Sequence, residues 1–221
     1  MSDQSEIEQV TAVWDRLAGW LAEWAPASYA SLLPPAAADA VTAAEARLMH
    51  ALDFGFPPEL KALWRVCGGV QDVEVSGNKD SAVWAGSFLP GGIFLGPEAS
   101  LWQRLRFGPG EDDPWEGADF VSFLGAEDPS GSGERGMYAS WSTDPTLRGV
   151  GKWSTMTGPE LSPPAWPSVT AYLEAVYELL QTGGGPLLET APEKQPALAL
   201  GCLAWIYPDD GLEVPWRPVH P

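Results

Sequence analysis

Carboxylates are the residues in this chain best placed to do chemistry. Glu111, Asp112 and Asp113 are consecutive, Glu116 and Asp119 follow closely, and Asp209-Asp210 form a second pair. Two carboxyls facing across a sugar are the machinery of glycoside hydrolysis, and 12 Trp would supply stacking surfaces for one. The competing reading is structural, because adjacent acids in loops rich in Gly and Pro are ordinary solvated turns. A calcium loop needs alternate ligands around a central Gly, and Glu111-Asp112-Asp113-Pro114 lacks that pattern.

Other reactive groups are sparse. The two histidines, His50 and His220, and the two cysteines, Cys67 and Cys202, have no zinc spacing. Neither histidine stands near a nucleophile elbow. Each cysteine sits among apolar residues or Gly, which implies buried free thiols. Gly131-Ser132-Gly133-Glu134-Arg135-Gly136 spells GxGxxG. A dinucleotide loop must follow a strand and open a helix. Here Pro129-Ser130 precedes the string and the strand-like Met137-Tyr138-Ala139 follows it. A hairpin connection is the better reading. The residues thus imply no catalytic set, no metal and no cofactor.

What remains is charge. From Glu111 to Glu134 there are eight acids and no Lys or Arg. Trp115 lies among them, and Trp is enriched where protein partners are anchored. Glu111, Asp112, Asp113, Trp115, Glu116 and Asp119 are therefore the candidate partner-binding residues, with a solvated loop face as the alternative. Trp166 and Trp216 also adjoin Pro in loop-like segments, whereas Trp14, Trp24, Trp64 and Trp102 fall on helical inner faces.

The whole chain sets that density in context. It has 221 residues, 30 acids and 12 bases, for a net charge of −18. Charged residues are 19%, below the roughly 25% of average domains, so the chain is acidic because bases are missing. Such a surface repels nucleic-acid phosphates and offers no polybasic membrane patch. No apolar run suits a transmembrane helix. The acidic start Met1-Ser2-Asp3-Gln4-Ser5-Glu6 has no secretory pattern, so a cytoplasmic location is expected. A hydrophobic fraction of 45% suits a folded globule.

Periodicity places these residues on elements. Ile7, Val10, Trp14, Leu17, Leu21 and Trp24 step by three and four, as do Val41, Ala44, Leu48 and Leu52. Pro57-Pro58 starts a third helix bearing Leu60, Leu63, Trp64 and Cys67, and Gly68-Gly69 stops it. Strands are expected over 82–89, 92–95, 120–124, 137–141 and 150–154. A short helix from Pro97 carries Leu101, Trp102 and Leu105. The last helix has Val169, Tyr172, Leu173, Val176 and Leu180 inside, Ser168 as its cap and Gly183 as its stop. Helices, then strands, then a helix read as α+β, a central mostly antiparallel sheet flanked by N-terminal helices and a C-terminal helix. Gly183-Gly184-Gly185-Pro186 is a joint. It divides a domain over 1–183 from a Pro-rich extension over 184–221, with one strand over 198–207, packed on the domain.

The order of these pieces resembles the SUKH superfamily, the group of SMI/KNR-type cell-wall regulators and bacterial toxin-immunity proteins. The resemblance covers roughly residues 10–182. It rests on a helix ending in Trp before Leu32-Leu33-Pro34-Pro35, and on Val41-Thr42-Ala43-Ala44-Glu45-Ala46-Arg47-Leu48. Phe56-Pro57-Pro58-Glu59-Leu60-Lys61-Ala62-Leu63-Trp64 before Gly68-Gly69 continues it. Phe94-Leu95-Gly96-Pro97-Glu98 with Trp102, and Ser168-Val169-Thr170-Ala171-Tyr172-Leu173-Glu174, complete it. Residues 70–90 and 108–135 depart from the pattern, and 184–221 have no counterpart. The resemblance implies an α+β binding protein without a catalytic set, in bacteria commonly an immunity protein against a nuclease-type toxin. Nuclease domains are often basic, which suits an acidic inhibitor. The expectation is a non-enzymatic immunity protein in a toxin–antitoxin pair. A regulatory or scaffold module of the same fold is the first alternative, and a carbohydrate-active enzyme using paired carboxylates is the second.

Overall fold

A computed structural model describes residues 3–78, 81–106, 119–127, 134–155, 158–160, 164–190, 194–207, 212 and 214–220. The chain has an α+β fold in which all strand pairings described are antiparallel.

The N-terminal third forms α1 (Asp3–Trp24), α2 (Pro26–Ala30), α3 (Ala38–Leu52) and α4 (Pro58–Trp64). Burial follows the apolar spacing: Val10, Trp14, Leu17 and Leu21 of α1, and Leu60, Leu63 and Trp64 of α4, are buried. Pro26 ends α1 as expected, but it also opens α2, since proline suits a helix's first turn. Trp24 departs from its expected inner position and is 45% exposed. As the last residue of α1, it carries the stripe past the core, and Trp20 is buried in its place.

A hairpin follows, β1 (Glu74–Asn78) with β2 (Ser81–Trp84). Strand β1 was not expected, because Glu-Val-Ser-Gly-Asn has no apolar run. The strand expected over 82–89 stops at Trp84, where the chain turns and Ser87 N donates to Trp84 O. Next come β3 (Ile93–Phe94), α5 (Pro97–Arg106), β4 (Phe120–Glu127), β5 (Glu134–Ser140), β6 (Gly149–Ser154) and β7 (Gly158–Pro159). The five strands pair in sequence order into one sheet. A bulge between Ser122 and Leu124 leaves Phe123 without a register partner.

Helix α6 (Val169–Thr182) lies against α1, and the main core is shared among α1, α4, α6 and the sheet. Trp14 meets Phe94 at 5.3 Å, and Phe56 meets Trp64 edge-on at 4.8 Å. Trp64 Nε1 donates to Leu95 O at 2.9 Å, giving the buried indole its partner.

The segment 184–221 contains α7 (Leu187–Thr190), β8 (Gln195–Ala199), β9 (Cys202–Ile206) and β10 (Trp216–Pro218), ordered β10-β8-β9 in a second sheet. The single strand expected over 198–207 is therefore a hairpin. Its turn is Leu200-Gly201, with φ of 52° and 78°. Positive φ at both central residues matches the tight turns that suit twisted strands, and Leu200 disguises it within an apolar run. Strand β10 was hidden by its prolines, which an edge strand tolerates. Leu198 and Leu203 enter the main core, while Cys202, Ala199 and Val214 form a smaller core with Val83 and Ala85.

Candidate functional site

Glu111, Asp112, Asp113, Trp115 and Glu116 lie outside the described residues, as do Asp209 and Asp210. Asp119 is described. It is half-buried just before β4, and its carbonyl accepts from Ser140 Oγ at 2.9 Å and Trp141 N at 3.3 Å. The backbone of Asp119 is thereby fixed to the far end of β5. Beside it, the Arg148 guanidinium stacks 4.2 Å from the Trp141 ring and donates to Ser142 O. Asp144, accepting from Thr146 N and Oγ, is held below the usual carboxylate range by those hydrogen bonds.

The described anchors of the segments on either side of β4 are more informative. Segment 107–118 leaves α5 at Arg106, and segment 128–133 rejoins the sheet at Glu134. Those two anchors are ion-paired, Arg106 Nη1 donating to Glu134 Oε1. Gln103 Nε2 donates to the other oxygen at 2.8 Å. The Glu134 backbone is fixed in turn, its N donating to Thr155 Oγ1 and its carbonyl accepting from Thr155 N. The segment with Glu111, Asp112, Asp113 and Glu116 begins, and the one with Asp128 ends, at a single tied corner. One of the eight acids, Glu134, is taken up inside that corner and is not free surface charge.

Helix α5 also corrects the place of Trp102. Its buried residues are Pro97, Ser100, Leu101, Gln103 and Arg104. Trp102 therefore joins Glu98 and Arg106, four residues apart on the outer face. It is 57% exposed, with the Arg106 guanidinium 5.1 Å from its ring. Arg104 is buried beneath, stacked 4.9 Å from Phe120. No sequence pattern distinguished Arg104 from a surface base.

The remaining aromatic candidates separate cleanly. Trp166 is buried against Tyr172. Trp216 is 39% exposed and, with Trp24, Leu200, Gly201 and Pro215, lines an open groove of about 400 Å³.

Glu59 is a functional-looking residue with a structural task that sequence reasoning missed. It is 4% exposed, and its carboxylate accepts from Val169 N at 2.9 Å and Thr170 N at 3.0 Å. These are N–H groups that the first turn of α6 cannot satisfy itself. Ser168 Oγ accepts from Ala171 N beside it.

Gly136, the third glycine of the GxGxxG string, lies in β5 opposite Gly125. A Cβ there would meet Leu124 O at 2.0 Å, so close strand contact accounts for it. The string leads into a strand, not a helix. Among the described residues no group of three His, Cys, Asp or Glu could hold a metal ion. His50 is exposed on α3, and His220 lies 3.0 Å from Leu180 O. Both cysteines are free and buried. Burial raises the Cys67 thiol and pushes Cys202 up to about 11, which keeps both as unreactive thiols near neutral pH. No helix described is long and apolar enough to cross a membrane. Compared with known proteins, the chain matches no family model, and no curated protein matches it.

Proposed function

We propose that this chain is a SUKH-like, non-enzymatic binding protein that neutralises a basic, nuclease-type toxin domain in the cytoplasm. The acids of 111–119 and Trp115 would supply the docking surface. The observation that carries the reading is the run from Glu111 to Glu134, which holds eight acids and no base. Seven of them remain once Glu134 is paired with Arg106, and the segment carrying Glu111, Asp112, Asp113 and Glu116 starts directly after Arg106. Complementary charge of this kind speeds association and selects partners.

The test is co-expression with the product of an adjacent gene encoding a basic protein. Wild type should co-purify with it at physiological salt. The variant with Ser at 111, 112, 113 and 116 should lose most of that association, chiefly through a slower on-rate. Unchanged co-purification of the variant would refute docking through these acids.

A further inference from the structure

We infer that the open edge of β1 is a docking site for an extended segment of a partner protein, one that alternates Lys or Arg with apolar residues. The segment joins the β1–β2 hairpin as an added antiparallel strand. No acid of 111–119 takes part in it.

Backbone geometry comes first. Val73 O accepts from Ala85 N, and Val75 stands opposite Val83. Hydrogen-bonded pairs alternate along an antiparallel ladder. Glu74 and Ser76 therefore turn their N–H and C=O groups away from β2. None of these four groups has a hydrogen-bond partner among the described residues. Both residues are exposed, as are Asp72, Val73 and Gly77 around them. An exposed strand edge of this kind is a template for another strand. The other sheet edges described are short or blocked. Strands β3 and β7 have two residues each, β10 carries Pro218, and Leu203 N of β9 already donates to Ser28 Oγ.

Side chains then set the pattern of the partner. Val73 and Val75 share a face with Val83 and Ala85, which are buried in the smaller core with Ala199, Cys202 and Val214. Val73 is itself 41% exposed. Apolar residues at alternate positions of an added strand cover it and extend that core. The opposite face carries Glu74 and Ser76. Neither Glu74 nor Asp72 belongs to an ion pair described. Glu74 accepts from Ser76 Oγ, and Asp72 from the Gly86 backbone. From Gln71 to Trp84 the one base is Lys79, which Asp80 follows directly. A cation directly across from Glu74 makes a favourable cross-strand pair, and a carboxylate there is repelled. Main-chain bonds supply the affinity of such a strand, and its alternating side chains the specificity.

The test titrates blocked heptapeptides into the isotope-labelled full chain at physiological salt, read by amide NMR shifts. An alternating Lys-Val peptide should bind and move the Glu74 and Ser76 amides. The same composition with its Lys and Val in separate blocks should bind about fivefold more weakly or worse. An alternating Glu-Val peptide should not bind measurably. In antiparallel register the Lys nitrogens face β1 and the Val nitrogens face away. Methylating the Lys nitrogens should abolish binding, and methylating the Val nitrogens should change it by less than about threefold. Glu74→Lys should weaken the Lys-Val peptide by about fivefold and admit the Glu-Val peptide. The variant with Ser at 111, 112, 113 and 116 should bind the Lys-Val peptide within about twofold.

No binding of the Lys-Val peptide at millimolar concentration overturns the site. So does binding that ignores residue order, that responds equally to methylation at Lys and at Val, or that leaves the Glu74 and Ser76 amides unmoved. Binding lost in the Ser variant but kept in Glu74→Lys places the peptide at the acids of 111–119, which overturns the β1 site and supports the docking reading. Peptide binding that follows Glu74, in a chain whose Ser variant still co-purifies with its basic partner, keeps the β1 site and removes the docking reading.

Discussion

Two helix ends in this protein are each closed by a glutamate, in opposite ways. At the N-terminus of α6, Glu59 is 4% exposed and accepts directly from backbone N–H groups, with no cation beside it in the ion pairs described. At the C-terminus of α5, Glu134 reaches the helix through the Arg106 and Gln103 side chains, and the Arg106 side chain is 46% exposed. The helix dipole favours both arrangements, a negative group at the start of α6 and a base in the last turn of α5. Solvent separates them. A buried carboxylate that satisfies backbone donors is coupled to the whole fold, whereas a wet ion pair contributes little stability but can orient what lies on top of it.

The largest expected effect breaks the buried end. Glu59→Ala strands the Val169 and Thr170 N–H groups and should cost about 3 kcal/mol in urea unfolding. Glu59→Gln keeps one acceptor oxygen and should cost about half as much. A loss below about 1 kcal/mol for the Ala variant would mean that water replaces the carboxylate, and the contrast with Glu134 would disappear.

Alkaline pH sharpens the comparison next. Tyr138 is pushed up to about 12 by burial and then by the charge of Glu160, and burial also raises Tyr172, on α6. The unfolded chain loses these protons near pH 10, while the folded chain keeps them. Their stability is thus fully present below pH 10 and declines as pH rises toward 12. The limiting slope is about 1.4 kcal/mol per pH unit for each tyrosine. Tyr138→Phe should flatten the decline measured by urea titration at successive pH values. An unchanged slope would mean that Tyr138 ionises freely in the folded state. Tyr138 stands on β5, the strand that starts at Glu134, so its behaviour tells depth apart from element.

A smaller effect is expected at the Ser168 cap. Ser168→Ala removes the acceptor for Ala171 N, and should cost about 1 kcal/mol because Glu59 still holds the neighbouring donors. Combined with Glu59→Ala it should cost more than the sum, since the two side chains share one turn.

The buried end was more legible in sequence than the open one, for a physical reason. Ser168, the apolar stripe of α6 and Gly183 obey local rules of capping and periodicity, and all three hold. Glu59 escaped because its partners are more than 100 positions away in sequence, and nothing around Pro58-Glu59-Leu60 signals a distant cap. On α5 the start at Pro97 and the buried Leu101 were readable. Trp102 was misplaced because aromatic residues on helices usually face inward, whereas the face is set here by Leu101 and Arg104. The expected fold class holds through the same local rules. The hairpin at Leu200-Gly201 does not announce itself, because a leucine at positive φ is a poor turn signal. Of the candidate binding residues, Asp119 is the one with a described position, and it entered the list as an acid, although its structural contacts come from its backbone.

The smallest predicted effect isolates the open end. A double-mutant cycle of Arg106→Met and Glu134→Gln should give a coupling of about 0.5 kcal/mol in stability, because solvent screens the pair. Coupling above about 2 kcal/mol would make this corner as structural as Glu59 and remove the contrast. Orientation is the better readout. Arg106→Met removes both the charge that Glu134 holds and the cation over the Trp102 ring. Acrylamide quenching should therefore rise for Trp102, read as the difference between each chain and its Trp102→Phe counterpart. If stability barely moves while quenching rises, the Arg106–Glu134 pair serves to position the indole, whereas the buried Glu59 serves the backbone of α6.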